Sequence, residues 1–100
     1  MEKCYEIKFH PAALKEFCVL DGSVKILVKK QLDKLKAQPF LGEELGNKNG
    51  YNLYGYRKMY ACKKQVRIAY SIHDDVLLVK IIAIGKREEM QVYETAAERI

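Results

Sequence analysis

Residues 56–84 read YRKMYACKKQVRIAYSIHDDVLLVKIIAI, and the period of this stretch decides the fold. Met59 and Ala61 alternate with Lys58, Tyr60 and Cys62. After a turn at Lys63-Lys64, Val66, Ile68, Tyr70 and Ile72 alternate with Arg67, Ala69 and Ser71. Successive side chains of a strand point to opposite faces, so two alternating runs joined by a short polar break predict a hairpin. Asp74-Asp75 supplies the next turn. Residues 76–84 are then apolar except for Lys80, the pattern of a strand covered on both faces, and Gly85 ends it.

Before this meander the chain reads as one strand and two helices. Tyr5-Glu6-Ile7-Lys8-Phe9 alternates with period two, as a half-buried strand does. Pro11 suits a first helical position behind a capping His10, and Leu14, Phe17 and Cys18 then share a face, with Ala13 and Leu20 nearby. Asp21-Gly22-Ser23 breaks that helix and offers Ser23 as the next N-cap. Val24, Leu27, Val28, Leu32 and Leu35 follow at three- and four-residue steps, an amphipathic second helix that Pro39 stops. Gly42, Gly46 and Gly50 mark a flexible connection to about Tyr54. Residues 88–99 have helical composition, with Val92 and Ala96 on one side, and predict a closing helix. The expected class is α+β: a small antiparallel sheet carrying helices, in a single domain over residues 1–100.

Composition narrows the function. A chain of 100 residues, 49% of them hydrophobic, supports one core and is too short for a second. Lys and Arg number 18 against 13 Asp and Glu, a net charge of +5 that favours an acidic partner without choosing which. No window approaches the roughly 20 apolar residues of a membrane span, and Met1-Glu2-Lys3-Cys4 lacks the apolar core of a signal peptide, so a cytoplasmic protein without a membrane partner is expected. The three cysteines, Cys4, Cys18 and Cys62, are odd in number and lack Cys-x-x-Cys spacing, which fits reduced thiols. No His, Cys or acidic residues stand at ligand spacing, so neither metal nor other cofactor is expected.

Arg67, then Gly85-Lys86-Arg87-Glu88, then Val92-Tyr93 assemble guanidinium, ammonium and phenol with no histidine–carboxylate pair nearby. Such a set suits a polyanion that carries its own reactive hydroxyl, which points to RNA before a peptide or a sugar.

Tyr5-x-Ile-x-Phe, Ala13-Leu14-Lys15-Glu16-Phe17, Val66-Arg67-Ile68-Ala69-Tyr70 and Ile84-Gly85-Lys86-Arg87-Glu88 with Val92-Tyr93 together resemble the RelE family of bacterial toxins, over nearly the whole chain. The Gly-Lys-Arg-Glu-x-x-x-Val-Tyr segment after a strand is the most specific part. The resemblance implies a toxin that enters the ribosomal A site and cuts messenger RNA there, held inactive by a cognate acidic antitoxin, with operator DNA met only through that antitoxin. Matched by position, the family's active residues fall on Lys58, Arg67, Arg87 and Tyr93. Where the best-studied type of RelE has a second lysine, this chain has Tyr60.

Self-cleavage of RNA through its 2′-hydroxyl needs a proton acceptor, charge stabilisation at phosphorus and a proton for the departing 5′-oxygen. Arg67, with its permanent charge and planar fork, is assigned to the phosphorane, and Arg87 to the leaving oxygen. Two residues stand as base. Crowding by Arg67 and Arg87 lowers the pKa of Lys58, and the same field favours a Tyr93 phenolate, although Tyr93 better suits stacking on a base to orient it. Tyr60, Lys63, Lys64 and Lys86 are expected to hold substrate.

Each assignment has a plainer counterpart: Lys58 as a solvated outer-face lysine, Tyr93 as a core contact, Cys62 on the active face as a small filler. Lys25, Lys29, Lys30, Lys34 and Lys36 are either a solvated helix face or a docking surface for ribosomal RNA phosphates. Two other functions stay open. A relative of the gyrase-poisoning ParE toxins shares the expected scaffold but typically lacks the cations and the final tyrosine, and a degenerate toxin would act only as a corepressor that binds its antitoxin.

Overall fold

The computed structural model describes residues 4–48, 51–63, 65–86 and 99, with the side chains of 47, 48, 51, 52 and 86 excepted. The order is β1 (Glu6–Phe9), α1 (Pro11–Cys18), α2 (Gly22–Ala37), a 3₁₀ turn (Pro39–Leu41), β2 (Glu43–Lys48), β3 (Tyr51–Ala61), β4 (Val66–His73), a second 3₁₀ turn (Asp74–Val76) and β5 (Leu78–Lys86). The α+β class and the meander of β3, β4 and β5 are as expected. The predicted closing helix over 88–99 lies outside the described residues, apart from Arg99.

The sheet differs from the expected one in two ways. Its strand order is β1-β5-β4-β3-β2, and β1 runs parallel to β5, pairing Ile7 with Val79 and Phe9 with Ile81, so the sheet is mixed rather than antiparallel. Alternation identifies a strand but carries no information about its neighbour. The second difference is β2, which occupies part of the supposed flexible connection and pairs antiparallel with β3. Its sequence Glu-Glu-Leu-Gly-Asn-Lys buries Leu45 and offers little apolar periodicity. Charged residues suit its position, since β2 is an edge strand and charge there opposes pairing with foreign strands. Gly46 sits at a register shift with φ of 58°, a left-handed conformation open to glycine.

Both helices cover one face of the sheet. Val28, Leu32 and Leu35 of α2 and Ala13 of α1 pack with Met59, Ala61, Ile68, Tyr70, Val79 and Ile81. Burial of each large aliphatic side chain is worth about 1.5–3 kcal/mol. A smaller cluster of Leu45, Leu53, Ala69, Ile82 and Ala83 lies apart from it, and apolar clusters on both sides explain the continuous apolar run of β5. Some expected helix details shift. His10 caps α1 by accepting the Ala12 amide at 3.2 Å, but Leu14 and Cys18 are exposed and Ala13 and Phe17 face the core instead. Asp21, not Ser23, is the N-cap of α2, and Leu27 is exposed. β5 also runs one residue past Gly85.

Polar contacts close the gaps that the strands leave. Beyond Ile81, where β1 has ended, the Glu16 carboxylate accepts the Ile84 amide at 3.2 Å and Arg99 Nη1 at 2.8 Å, while Arg99 also donates to the Ile82 carbonyl at 2.8 Å. Side chains there continue a ladder that the backbone has stopped. Arg57 donates to the Gly42 carbonyl at 2.6 Å and lies over the Phe40 ring, which fastens the 3₁₀ turn to β3. The fully buried Tyr70 hydroxyl donates to the Pro39 carbonyl and accepts from the Gly42 amide.

Burial is the main reason that the Tyr70 phenol titrates above the ordinary tyrosine value, the Gly42 hydrogen bond and the Arg57 charge working against it. Tyr5, whose hydroxyl donates to the Asp74 carboxylate, is shifted the same way, chiefly by that hydrogen bond. An unfolded chain ionises its tyrosines near pH 10, so what these two phenols contribute is complete below that pH and is lost as pH rises through their folded values. Urea unfolding stability is therefore expected to decline above about pH 10, and less steeply in Tyr70→Phe. Identical slopes for the two proteins would contradict this.

Candidate functional site

The hairpin β3–β4 places the candidate residues by register. Tyr60 pairs with Arg67 and Lys58 with Ala69, and across the next ladder Arg67 pairs with Gly85 and Ala69 with Ala83. Lys58, Tyr60 and Arg67 thus share the face opposite Met59, Ala61 and Ile68, as the alternation predicts. Their neighbours Ala69 and Ala83 are fully buried and pack with Leu45, Leu53 and Ile82.

The three polar side chains touch one another. Lys58 Nζ donates to the Tyr60 hydroxyl at 3.1 Å and lies 5.2 Å from the centre of its ring, while the Arg67 guanidinium stands 5.9 Å from the same ring. Two cations near one tyrosine ring are drawn by its negative face. Hydrogen bonding from the Lys58 ammonium holds the Tyr60 phenol below the ordinary tyrosine value; partial burial opposes this, and the charges of Lys58 and Arg67 add to it.

Two supporting residues were not legible in the sequence. Glu43 of β2 approaches Lys58 Nζ at 3.4 Å, from a strand that carried no periodic signal. Gln31 of α2 donates its amide to the Tyr60 carbonyl at 2.7 Å and ties the helix to the strand edge. Lys58 is not the solvated lysine of the plainer reading, for its side chain retains 12% of its exposure. Its Nζ bridges the Glu43 carboxylate and the Tyr60 hydroxyl.

Other sequence assignments separate. Cys62 leaves the active face: with φ of 52° it begins the hairpin turn, and its side chain packs against the core under the helices. Lys63 is exposed in that turn, and Lys64 lies outside the described residues. The backbone of Lys86 pairs with Val66, next to Arg67, but its side chain is not described. Arg87 and Tyr93 lie outside the described residues.

The lysines of α2 do not form one face. Lys25 and Lys29 flank, with Lys36, an apolar groove of about 750 Å³ between β1 and α2 that Ile7, Phe9 and Leu32 line. Lys30 and Lys34 point elsewhere on the helix. Lys25 is engaged with the Cys18 carbonyl and the Phe17 ring, and Lys36 pairs with Asp33. Among the described residues no three His, Cys, Asp or Glu gather closely enough to hold a metal ion, and no helix is long and apolar enough to cross a membrane.

No protein-family model matches the chain. It is 32% identical over 99 residues to the mRNA interferase toxin RelE of Escherichia coli strain K12, covering 96% of this chain and 97% of that one. A solved structure of a doubly substituted E. coli toxin RelE in the free state aligns with a TM-score of 0.80 and 27% identity, over 97% of this chain and 98% of that one. A chain of the intact E. coli RelBE toxin-antitoxin complex aligns with a TM-score of 0.69 and 27% identity, over 85% of this chain and 99% of that one. Sequence and fold agree across almost the full length: the chain belongs to the RelE family of toxins.

Proposed function

We propose that this protein is the toxin of a type II toxin–antitoxin pair, a cytoplasmic endoribonuclease that cuts messenger RNA in the ribosomal A site without a metal ion. The observation that carries the reading is the shared face of Lys58, Tyr60 and Arg67, joined at the strand end by the Gly85-Lys86 backbone. A fixed guanidinium and an ammonium stabilise the charge that gathers on a phosphorane, which in a partly desolvated site is worth far more than in water. The RNA supplies the nucleophile from its own 2′-hydroxyl, so no side chain need form a covalent bond. Arg87 serves the departing 5′-oxygen and Tyr93 orients a base in the same reading.

The partner is a cognate acidic antitoxin, as a RelB partner is present in the complex that this fold resembles. Lys29, Lys30 and Lys34, exposed on α2, meet ribosomal RNA phosphates, adding an affinity that falls with salt.

Purified protein added to a programmed ribosome is expected to produce new messenger ends by primer extension, absent when Arg87→Ala replaces it. Intact messenger with inhibited gyrase identifies the ParE-like activity instead. Intact messenger, active gyrase and tight antitoxin binding identify a corepressor.

A further inference from the structure

We infer that Tyr60, clamped between Lys58 and Arg67, takes the proton from the attacking 2′-hydroxyl. This role rests on the nuclease reading above and goes beyond it, because the sequence points to Lys58 and Tyr93 as base. Three observations favour Tyr60. Its hydroxyl is the end point of the Lys58 ammonium, at 3.1 Å, and that cation stabilises an anionic oxygen there. Arg67 pairs with Tyr60 across the strands, so the group that would hold the phosphate stands one residue-width from the group that would hold the proton. Lys58 Nζ itself is directed at the Tyr60 hydroxyl and the Glu43 carboxylate, so its contacts are those of a donor.

The surroundings of the phenol are otherwise poor in acid. From β3 it meets Lys58, from β4 Arg67 and, through Lys58, Glu43 of β2; Gln31 of α2 reaches its backbone, and Gly85, across β4, has no side chain. Among the described residues the charges nearest the oxygen are thus positive, in line with the lowered titration of this tyrosine.

In the reaction the Tyr60 phenolate removes the 2′-hydroxyl proton as the 2′-oxygen bonds to the adjacent phosphorus. The bond from phosphorus to the 5′-oxygen breaks, leaving a 2′,3′-cyclic phosphate. The departing 5′-oxygen takes a proton from water, and the hydroxide so formed removes the phenol proton, restoring water and phenolate. No oxidant, metal or covalent enzyme intermediate enters the balance.

The test combines two measurements on the full chain. Tyrosinate absorbance followed with pH should show one phenol ionising ahead of the others, missing in Tyr60→Phe and shifted upward in Lys58→Met. Single-turnover cleavage on a programmed ribosome should rise with pH and level off at the same position. Tyr60→Phe should lose that limb and about 10²- to 10⁴-fold in rate, with its circular dichroism unchanged. Lys58→Met should move the limb upward in step with the phenol. Should Tyr60→Phe cut at the wild-type rate with the limb intact, or should the phenol titrate with the others while cutting proceeds, Tyr60 is not the base and the nuclease reading stands. Wild-type protein that leaves messenger whole removes both.

Discussion

Arg67→Ala is expected to lower the single-turnover rate of messenger cleavage by about 10²- to 10³-fold while the protein stays folded. Arg67 lies at the middle of the candidate site, flanked on β3 by Tyr60 and on β5 by Gly85. A guanidinium offers a fixed charge and a planar fork, so its contribution is charge and geometry at the phosphorus, felt most as the phosphorane forms. Removing it should therefore appear in the rate at saturating toxin more than in ribosome affinity, which rests on dispersed phosphate contacts. Arg67→Lys should recover only a small part, because an ammonium cannot present two parallel donors to two phosphate oxygens. Core packing comes from Val66 and Ile68 on the opposite face, so the melting temperature should stay within a few degrees. An Arg67→Ala protein that cuts at the wild-type rate would falsify the placement of the phosphate beside this residue.

The second large effect is expected in stability. A Cβ on Gly42 would stand 2.3 Å from the Tyr70 hydroxyl and 2.5 Å from the Lys58 carbonyl, both far inside contact distance. Gly42 is extended, with φ of −77° and ψ of 167°, so the requirement for glycine is space and not backbone conformation. Neither obstacle yields easily. Tyr70 is fully buried and held by Pro39 and Gly42, and Lys58 is fixed in the β3–β4 ladder. Gly42→Ala should cost about 2–4 kcal/mol in urea unfolding. Tyr70→Phe alone should cost about 1–3 kcal/mol, by leaving the Gly42 amide and the Pro39 carbonyl without their partner. The double variant should cost less than the sum, since Phe removes the closest of the three clashes while the Lys58 carbonyl at 2.5 Å and the ring carbon Cε1 at 2.9 Å keep the others. Strict additivity would mean that Gly42 and Tyr70 do not meet as described. Because the Lys58 backbone is the second obstacle, Gly42→Ala should also reduce cleavage.

These two positions mark how far the sequence alone could reach. Alternation along residues 56–72 separated Lys58, Tyr60 and Arg67 from Met59, Ala61 and Ile68, and that separation is the basis of the site. It works because side-chain direction in a strand is a local property with a period of two. The same period misplaced Cys62, where a left-handed turn residue breaks the alternation and swings the side chain to the helix side. Amphipathic spacing located α2, again a local property, but it could not tell Leu27, which is exposed, from Val28, which is buried. That choice depends on which part of the stripe meets the sheet.

By itself, then, the sequence determined the α+β class, the two helices, the three-strand meander and the side of the hairpin on which the cations stand. The tertiary structure decided what depends on residues distant along the chain. It set β1 parallel beside β5, made a strand of the polar segment Glu43–Lys48, and turned Gly42 into a steric requirement. It also placed Glu43 and Gln31 around Lys58 and Tyr60. Strand partners and contacts of this kind are fixed by closure of the whole core, which no local period encodes.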